Sequence, residues 1–242
     1  MIKKSPPVGS DYYDGYFKYD EVVAKTYEDS RMVERHWLRE DSFVQAYVKQ
    51  RQITALLDIP VGTGRFFEHY TDIPKVVGVD ISEDMLQVAR TKKTQISPNG
   101  HLRIEKGDVF QLHFKDDEFD TALVFRLFHL LPPESLDGAI RELCRVASKH
   151  IVVQTYVPMT KWQIRWNTIL NRMRAVLFRP DAQVVATQQP WLHIQSYNHH
   201  QGVFDLAFRR CGFSPSIAKR LDTYGNLQVR ATVYSRENQK QS

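Results

Sequence analysis

Five short strand-like runs recur at 53–59, 75–80, 102–106, 120–125 and 150–155, the first almost wholly apolar, with helical or turn-rich stretches between them. An apolar run such as 53–59, alternating with helices, suits a strand covered on both faces. Strands of that kind belong to parallel sheets with helices packed above and below. Residues 82–93 read as a helix with Ser82 at its N-cap, and 133–148 as another. Beyond the fifth run come helical patterns at 161–178 and 202–210, then two further strands at 215–221 and 227–235. The turn Thr223-Tyr224-Gly225-Asn226 joins these last two, which predicts an antiparallel hairpin. The expected fold is therefore α/β: a doubly wound, seven-stranded, mostly parallel sheet of Rossmann-like type, with an antiparallel C-terminal hairpin and a helical insert after strand five.

Upstream, 1–19 reads as an irregular arm, and 20–52 as two helices, the second capped by Asp41 or Ser42. The expected division is an N-terminal arm with lid helices over 1–52 and the sheet domain over 53–242, with the insert at about 158–200. A chain of 242 residues buries a core without disulfides. Its two cysteines, Cys144 and Cys211, follow no metal-ligand spacing, so no metal site is expected. No apolar run approaches the ~20 residues of a spanning helix. Lys3 and Lys4 have no apolar stretch behind them, so a reduced, cytoplasmic location is the expectation. The net charge of +5 is modest, but 161–179 holds Lys161, Arg165, Arg172, Arg174 and Arg179 with no acid.

Ligands of doubly wound sheets bind at the carboxyl ends of the strands. After the first run stands Asp58-Ile59-Pro60-Val61-Gly62-Thr63-Gly64-Arg65, whose glycines allow a sharp turn with bare amides. The dinucleotide pattern GxGxxG fails at Phe67, which argues against a diphosphate. Asp80 ends the second run, where a carboxylate accepts from a ribose diol. Asp108 follows the third, where it can accept from an adenine amino group while Ile81, Met85 and Val109 cover the ring. Each is also explained as a turn residue. Three in chain order favour a nucleoside site.

The set Leu56 to Arg65, Val77 to Leu86, Gly107-Asp108, and Phe119-Asp120 through Arg126-Leu127-Phe128-His129-Leu130-Leu131 resembles the class I S-adenosylmethionine-dependent methyltransferases, in particular the small-molecule type with a methyltransferase type 11-like domain. The resemblance implies S-adenosyl-L-methionine as cofactor. It implies that Asp58, Gly62 and Gly64 shape the methionine half, with Asp58 near the amino group. Asp80 would hold the ribose, Ile81 and Met85 the adenine face, and Asp108 with Val109 the adenine edge. Phe125 and Arg126 would line the floor near the sulfonium, and Tyr27 and Arg31, with Tyr19, would belong to a lid helix. Pro60 stands where the family's first motif usually has glycine, which removes one amide from the loop.

The implied function is methyl transfer to oxygen or nitrogen of a small or amphiphilic molecule. His129 is the candidate general base, with His199 and His200 as alternatives. A nucleic-acid methyltransferase using the basic insert and a non-catalytic cofactor-fold binding protein are the competing readings. Val124-Phe125-Arg126-Leu127 is not the [DNS]PP[YFW] motif of base-amino methylation, and neither cysteine follows proline, so nucleic acid is disfavoured as a partner. Trp162, Trp166, Ile169, Leu170, Met173 and Leu177 recur at helical spacing among the bases of 161–179. That segment reads as a lid helix packed on the domain, a binding element for an anionic or lipid-like substrate, or a peripheral membrane contact. A monomer or homodimer is expected.

Overall fold

The structure, a computed structural model, describes residue 24 and residues 35–96, 100–177 and 196–237, without the side chains of 171–177. Helix α1 (Arg35–Lys49) precedes β1 (Ala55–Asp58), β2 (Lys75–Asp80), α2 (Glu83–Ile96) and β3 (Leu102–Lys106). There follow β4 (Phe119–Val124), α3 (Leu136–Val146), β5 (Ala147–Pro158) and α4 (Lys161–Leu177). Helix α5 (Gln201–Arg210) leads into the hairpin of β6 (Phe213–Tyr224) and β7 (Leu227–Arg236). The strands form one seven-stranded sheet in the order β3-β2-β1-β4-β5-β7-β6. β3, β2, β1, β4 and β5 pair in parallel, and β7 runs antiparallel to both β5 and β6. The winding reverses between β1 and β4, so the sheet is doubly wound, as expected.

Successive strand residues point to opposite faces, and each face has its own core. Leu57, Val77 and Ala122 face α3 and α5 through Ile140, Leu143 and Phe208. Leu56, Val76 and Leu123 face α1 and α2 through Val44, Tyr47 and Leu86. Every position of β4 is buried, so burial does not alternate along it.

The boundaries differ where backbone or side-chain bonds, rather than apolar pattern, decide them. β1 begins at Ala55 instead of 53, because the Thr54 amide and hydroxyl both donate to Asp120 Oδ2 at 2.8 Å. β5 and β6 run longer than expected because their pairing with β7 continues through polar residues, out to Pro158 and Tyr224 opposite Leu227. The expected helix start at Asp41 or Ser42 is absent: α1 passes straight through. Ser42 Oγ donates to the Leu38 carbonyl at 2.9 Å, a bond that accommodates serine inside a helix. Asp41 instead meets His69 Nε2 at 3.0 Å. Apart from Ala24, the expected arm and first helix lie outside the described residues, as do Tyr19, Tyr27 and Arg31.

Helix α1 is bolted to the outermost strand. Arg35 Nε and Nη2 donate to the two oxygens of Asp222 at 2.8 and 2.7 Å, and Arg39 donates to the Leu221 carbonyl at 2.8 Å. Burial pushes the Asp222 carboxyl up, but the Arg35 bonds, the Thr223 amide and the charges of Arg35 and Arg39 outweigh it, and its pKa falls below the ordinary value. A lowered carboxyl contributes stability that is full above pH 3.8 and lost as pH falls through the native value. Both arginines are at least half exposed, so solvent screening discounts the pair. Asp222→Ala is expected to lower unfolding free energy by about 1–2 kcal/mol in urea titration at neutral pH, with a smaller difference at pH 3.

Candidate functional site

The cleft opens at the carboxyl edge, beside the β1–β4 switch. The chain leaving β1 is tied down at once: Ile59 N donates to Leu123 O at 3.0 Å and Val61 N to Val79 O at 2.8 Å. Two glycines then take positive φ, 55° at Gly62 and 76° at Gly64. A Cβ on Gly64 would land inside the Phe67 ring, and one on Gly62 would press the Met85 methyl at 3.4 Å. Phe67, which breaks the dinucleotide pattern, is thus the residue that closes against Gly64.

Asp80 finishes the loop. Gly62 N donates to its Oδ2 at 2.8 Å and Ser82 N to its Oδ1 at 2.9 Å. Burial pushes its carboxyl up to about 6, against the opposing pull of the Ser82, Gly62 and Ile81 amides. Ser82 also caps α2, its Oγ accepting from Met85 N at 3.3 Å. Asp108 turns the chain after β3, with Oδ1 accepting from Phe110 N at 3.0 Å, and Val109 is buried beside it.

Two adjoining lobes result. The smaller lies between Pro60, Asp80, Ile81, Asp108, Val109 and Leu127. The larger lies under Trp37, against Gly62, Arg65, Met85, Phe125 and Arg126. Pro60 and Asp80 line both. Asp80 and Asp108 line the smaller lobe together with Ile81 and Val109, and Met85, Phe125 and Arg126 line the larger. Asp58 is not on the lining. It is fully buried, takes the Tyr70 hydroxyl at 2.9 Å, and is pushed to about 7 by burial, with Asp80's charge adding to the rise and Tyr70 and Arg65 opposing it.

Three residues that the sequence reading did not select shape the larger lobe. Glu40, buried on α1, accepts through Oε2 from Arg65 Nη1 at 2.7 Å and from Arg126 Nε at 3.2 Å. The Arg65 guanidinium lies 3.5 Å from the Trp37 ring centroid and donates to the Trp37 carbonyl. Burial lowers its pKa, Glu40 raises it, and Arg126 lowers it again, for a net fall. Glu40 Oε1 and Arg65 Nε have no hydrogen-bond partner among the described residues. Arg126 holds φ 60°, rare for a side chain of its size, and its amide donates to Gln154 Oε1 at 3.0 Å. One signal was available: Glu40 interrupts the otherwise apolar stripe of Trp37, Phe43, Val44 and Tyr47.

His129 lies in the 3₁₀ turn Phe128–Leu130 after β4, half-buried, its ring edge-on to Tyr156 at 5.1 Å. Tyr156 OH is 3.4 Å from His36 Nε2, and Tyr224 of the hairpin approaches His36 at 5.3 Å. Leu130, one residue on, lines the larger lobe. His199 is buried, with Nε2 bonded to the carbonyls of Phe128 and Leu131 at 3.2 and 2.9 Å, a structural tie. His200 is the exposed N-cap residue of α5.

Removing one partner of a buried ionic cluster leaves charge uncompensated. Glu40→Gln is expected to cost about 3–5 kcal/mol of stability, read from denaturant midpoints, because Arg65 and Arg126 then face each other without a counter-charge.

The sequence pattern of a methyltransferase domain matches residues 56–150. A phosphatidylethanolamine N-methyltransferase of Cereibacter sphaeroides is 28% identical over 102 residues, 42% of this chain and 50% of that protein. A demethylmenaquinone methyltransferase of Lactiplantibacillus plantarum is 24% identical over 202 residues, 76% of this chain and 83% of that protein. The chain thus spans half of the first of these relatives and more of the second. In fold, the chain is similar to the magnesium protoporphyrin IX methyltransferase of Synechocystis PCC 6803 with bound SAH, at TM-score 0.67 and 16% identity, over 92% of this chain and 97% of that one. With the sheet order and the paired acidic strand ends, the match over 56–150 identifies this segment as a class I S-adenosylmethionine-dependent methyltransferase domain.

Proposed function

We propose that the chain transfers a methyl group from S-adenosyl-L-methionine to an oxygen or nitrogen atom of a small, amphiphilic molecule. The observation that carries this reading is the Asp80 carboxylate, fixed by two backbone amides and lining both adjoining lobes.

The residues present fit the cofactor. Asp80 accepts from the ribose hydroxyls, Ile81 and Met85 cover the adenine face, and Asp108 and Val109 meet its edge in the smaller lobe. Gly62, at positive φ, brings bare backbone to the wall of the larger lobe. Arg65 and Arg126 give the larger lobe its cations, which suit the carboxylate of an amino-acid group. When bound, the cofactor supplies the activated methyl on its sulfonium. The protein's task is then orientation, which can supply up to ~7–11 kcal/mol of the barrier. Trp37 and Phe125 exclude water from the larger lobe. His129, beside Tyr156, takes the proton that an attacking hydroxyl or amine must lose. The relatives named for phosphatidylethanolamine and demethylmenaquinone support an amphiphilic acceptor.

Calorimetry tests the cofactor site. Asp80→Asn should weaken S-adenosylmethionine binding by at least about tenfold, the loss expected when charge-assisted hydrogen bonds go. Because the Asp80 carboxyl titrates at about 6, wild-type affinity should rise between pH 5 and pH 8 as it ionises, and the Asn variant should not follow. Unchanged affinity in the variant would remove the assignment. For the base, labelled cofactor with a cell lipid extract should give a methylated product. His129→Gln should slow its formation by about 10²–10⁴-fold with cofactor affinity retained; an unaltered rate would strike His129 from the mechanism.

A further inference from the structure

Helix α4 does not bury the face that a helix packed on its domain would bury. Trp162 is 68% exposed and Trp166 47%, with Ile169 and Leu170 exposed beside them. The two indoles meet edge-on, centroids 5.6 Å apart, and no side chain from Lys161 to Leu170 is buried. At about 100° per residue these four positions, continued in the sequence by Met173 and Leu177, fall within roughly a third of the helix circumference. The same spacing sets Lys161, Arg165 and Arg172 along one border of the stripe and Arg174 along the other. No Asp or Glu occurs between 161 and 180.

We infer that α4 docks the protein on lipid bilayers that carry anionic headgroups, lying in the plane of the interface. An apolar stripe led by tryptophans matches the depth of the headgroup–acyl boundary, where indole is favoured. Basic side chains on its borders reach back to lipid phosphates while their stems stay against the apolar zone. An all-basic rim without acids complements a negative surface. The helix lies on the membrane and does not cross it: among the described residues, no helix is long and apolar enough to span. This inference rests on α4 and is independent of the proposed methyl transfer.

Flotation of the full chain with vesicles tests it. With vesicles of equal parts phosphatidylcholine and phosphatidylglycerol the protein should float, and added salt should release it. Pure phosphatidylcholine should retain far less. Arg165→Gln should weaken binding by about fivefold, and Trp162→Ser with Trp166→Ser by about tenfold or more. In both variants the thermal transition and S-adenosylmethionine affinity should match wild type, which separates loss of docking from loss of fold or of the cofactor site. Absence of flotation on the mixed vesicles, equal flotation of the double tryptophan variant, or a solution dimer that the same substitutions dissolve would overturn the inference.

Discussion

One carboxylate oxygen, Glu40 Oε2, joins three segments that the chain brings from far apart. It takes Arg65 from the turn after the glycine loop and Arg126 from the end of β4, 86 residues away. Two guanidiniums that would otherwise repel are thereby held side by side, and Arg65 is kept against the Trp37 ring. Taking such a cluster out of water costs much of what the attraction returns, so its main effect is positional. It sets the distance between α1 and the sheet edge, and with it the height of the cleft. The backbone of Arg126, turned to φ 60° and held by Gln154, belongs to the same arrangement.

Below that roof, Asp80 and Asp58 form a second electrostatic unit. Both are buried, both hold their protons more tightly than in water, and the charge of Asp80 contributes to the rise at Asp58. Interacting acids titrate as a pair, so ionisation of one delays that of the other. Tyr70 supplies the hydrogen bond that Asp58 needs behind the loop, while the Gly62 and Ser82 amides supply those of Asp80 at the front.

The sheet could be read from the chain because β1, β2 and β4 are covered on both faces, which writes burial directly into residue type. The hairpin and the order of acidic strand ends were legible for the same local reason. What escaped was set by partners distant in sequence. The polar ends of β5 and β6 are strands because β7 bonds to them, and no side-chain period records this. A serine that bonds backward inside α1 looks, in one dimension, like a serine that starts a helix. Asp58 sits at a ligand-facing position of its motif, yet its carboxylate turns to Tyr70. Glu40 and Gln154 gain their roles only when β4 and α1 meet.

Helix α1 also reaches beyond the cleft. Trp37 roofs the larger lobe, while Arg35, two residues earlier, grips Asp222 on the outermost strand. The roof and the sheet's rim therefore share one rigid rod. Anything that levers the indole away from Met85 must also strain the clasp on β6, so fraying at the margin of the sheet and the contents of its crevice become a single mechanical variable.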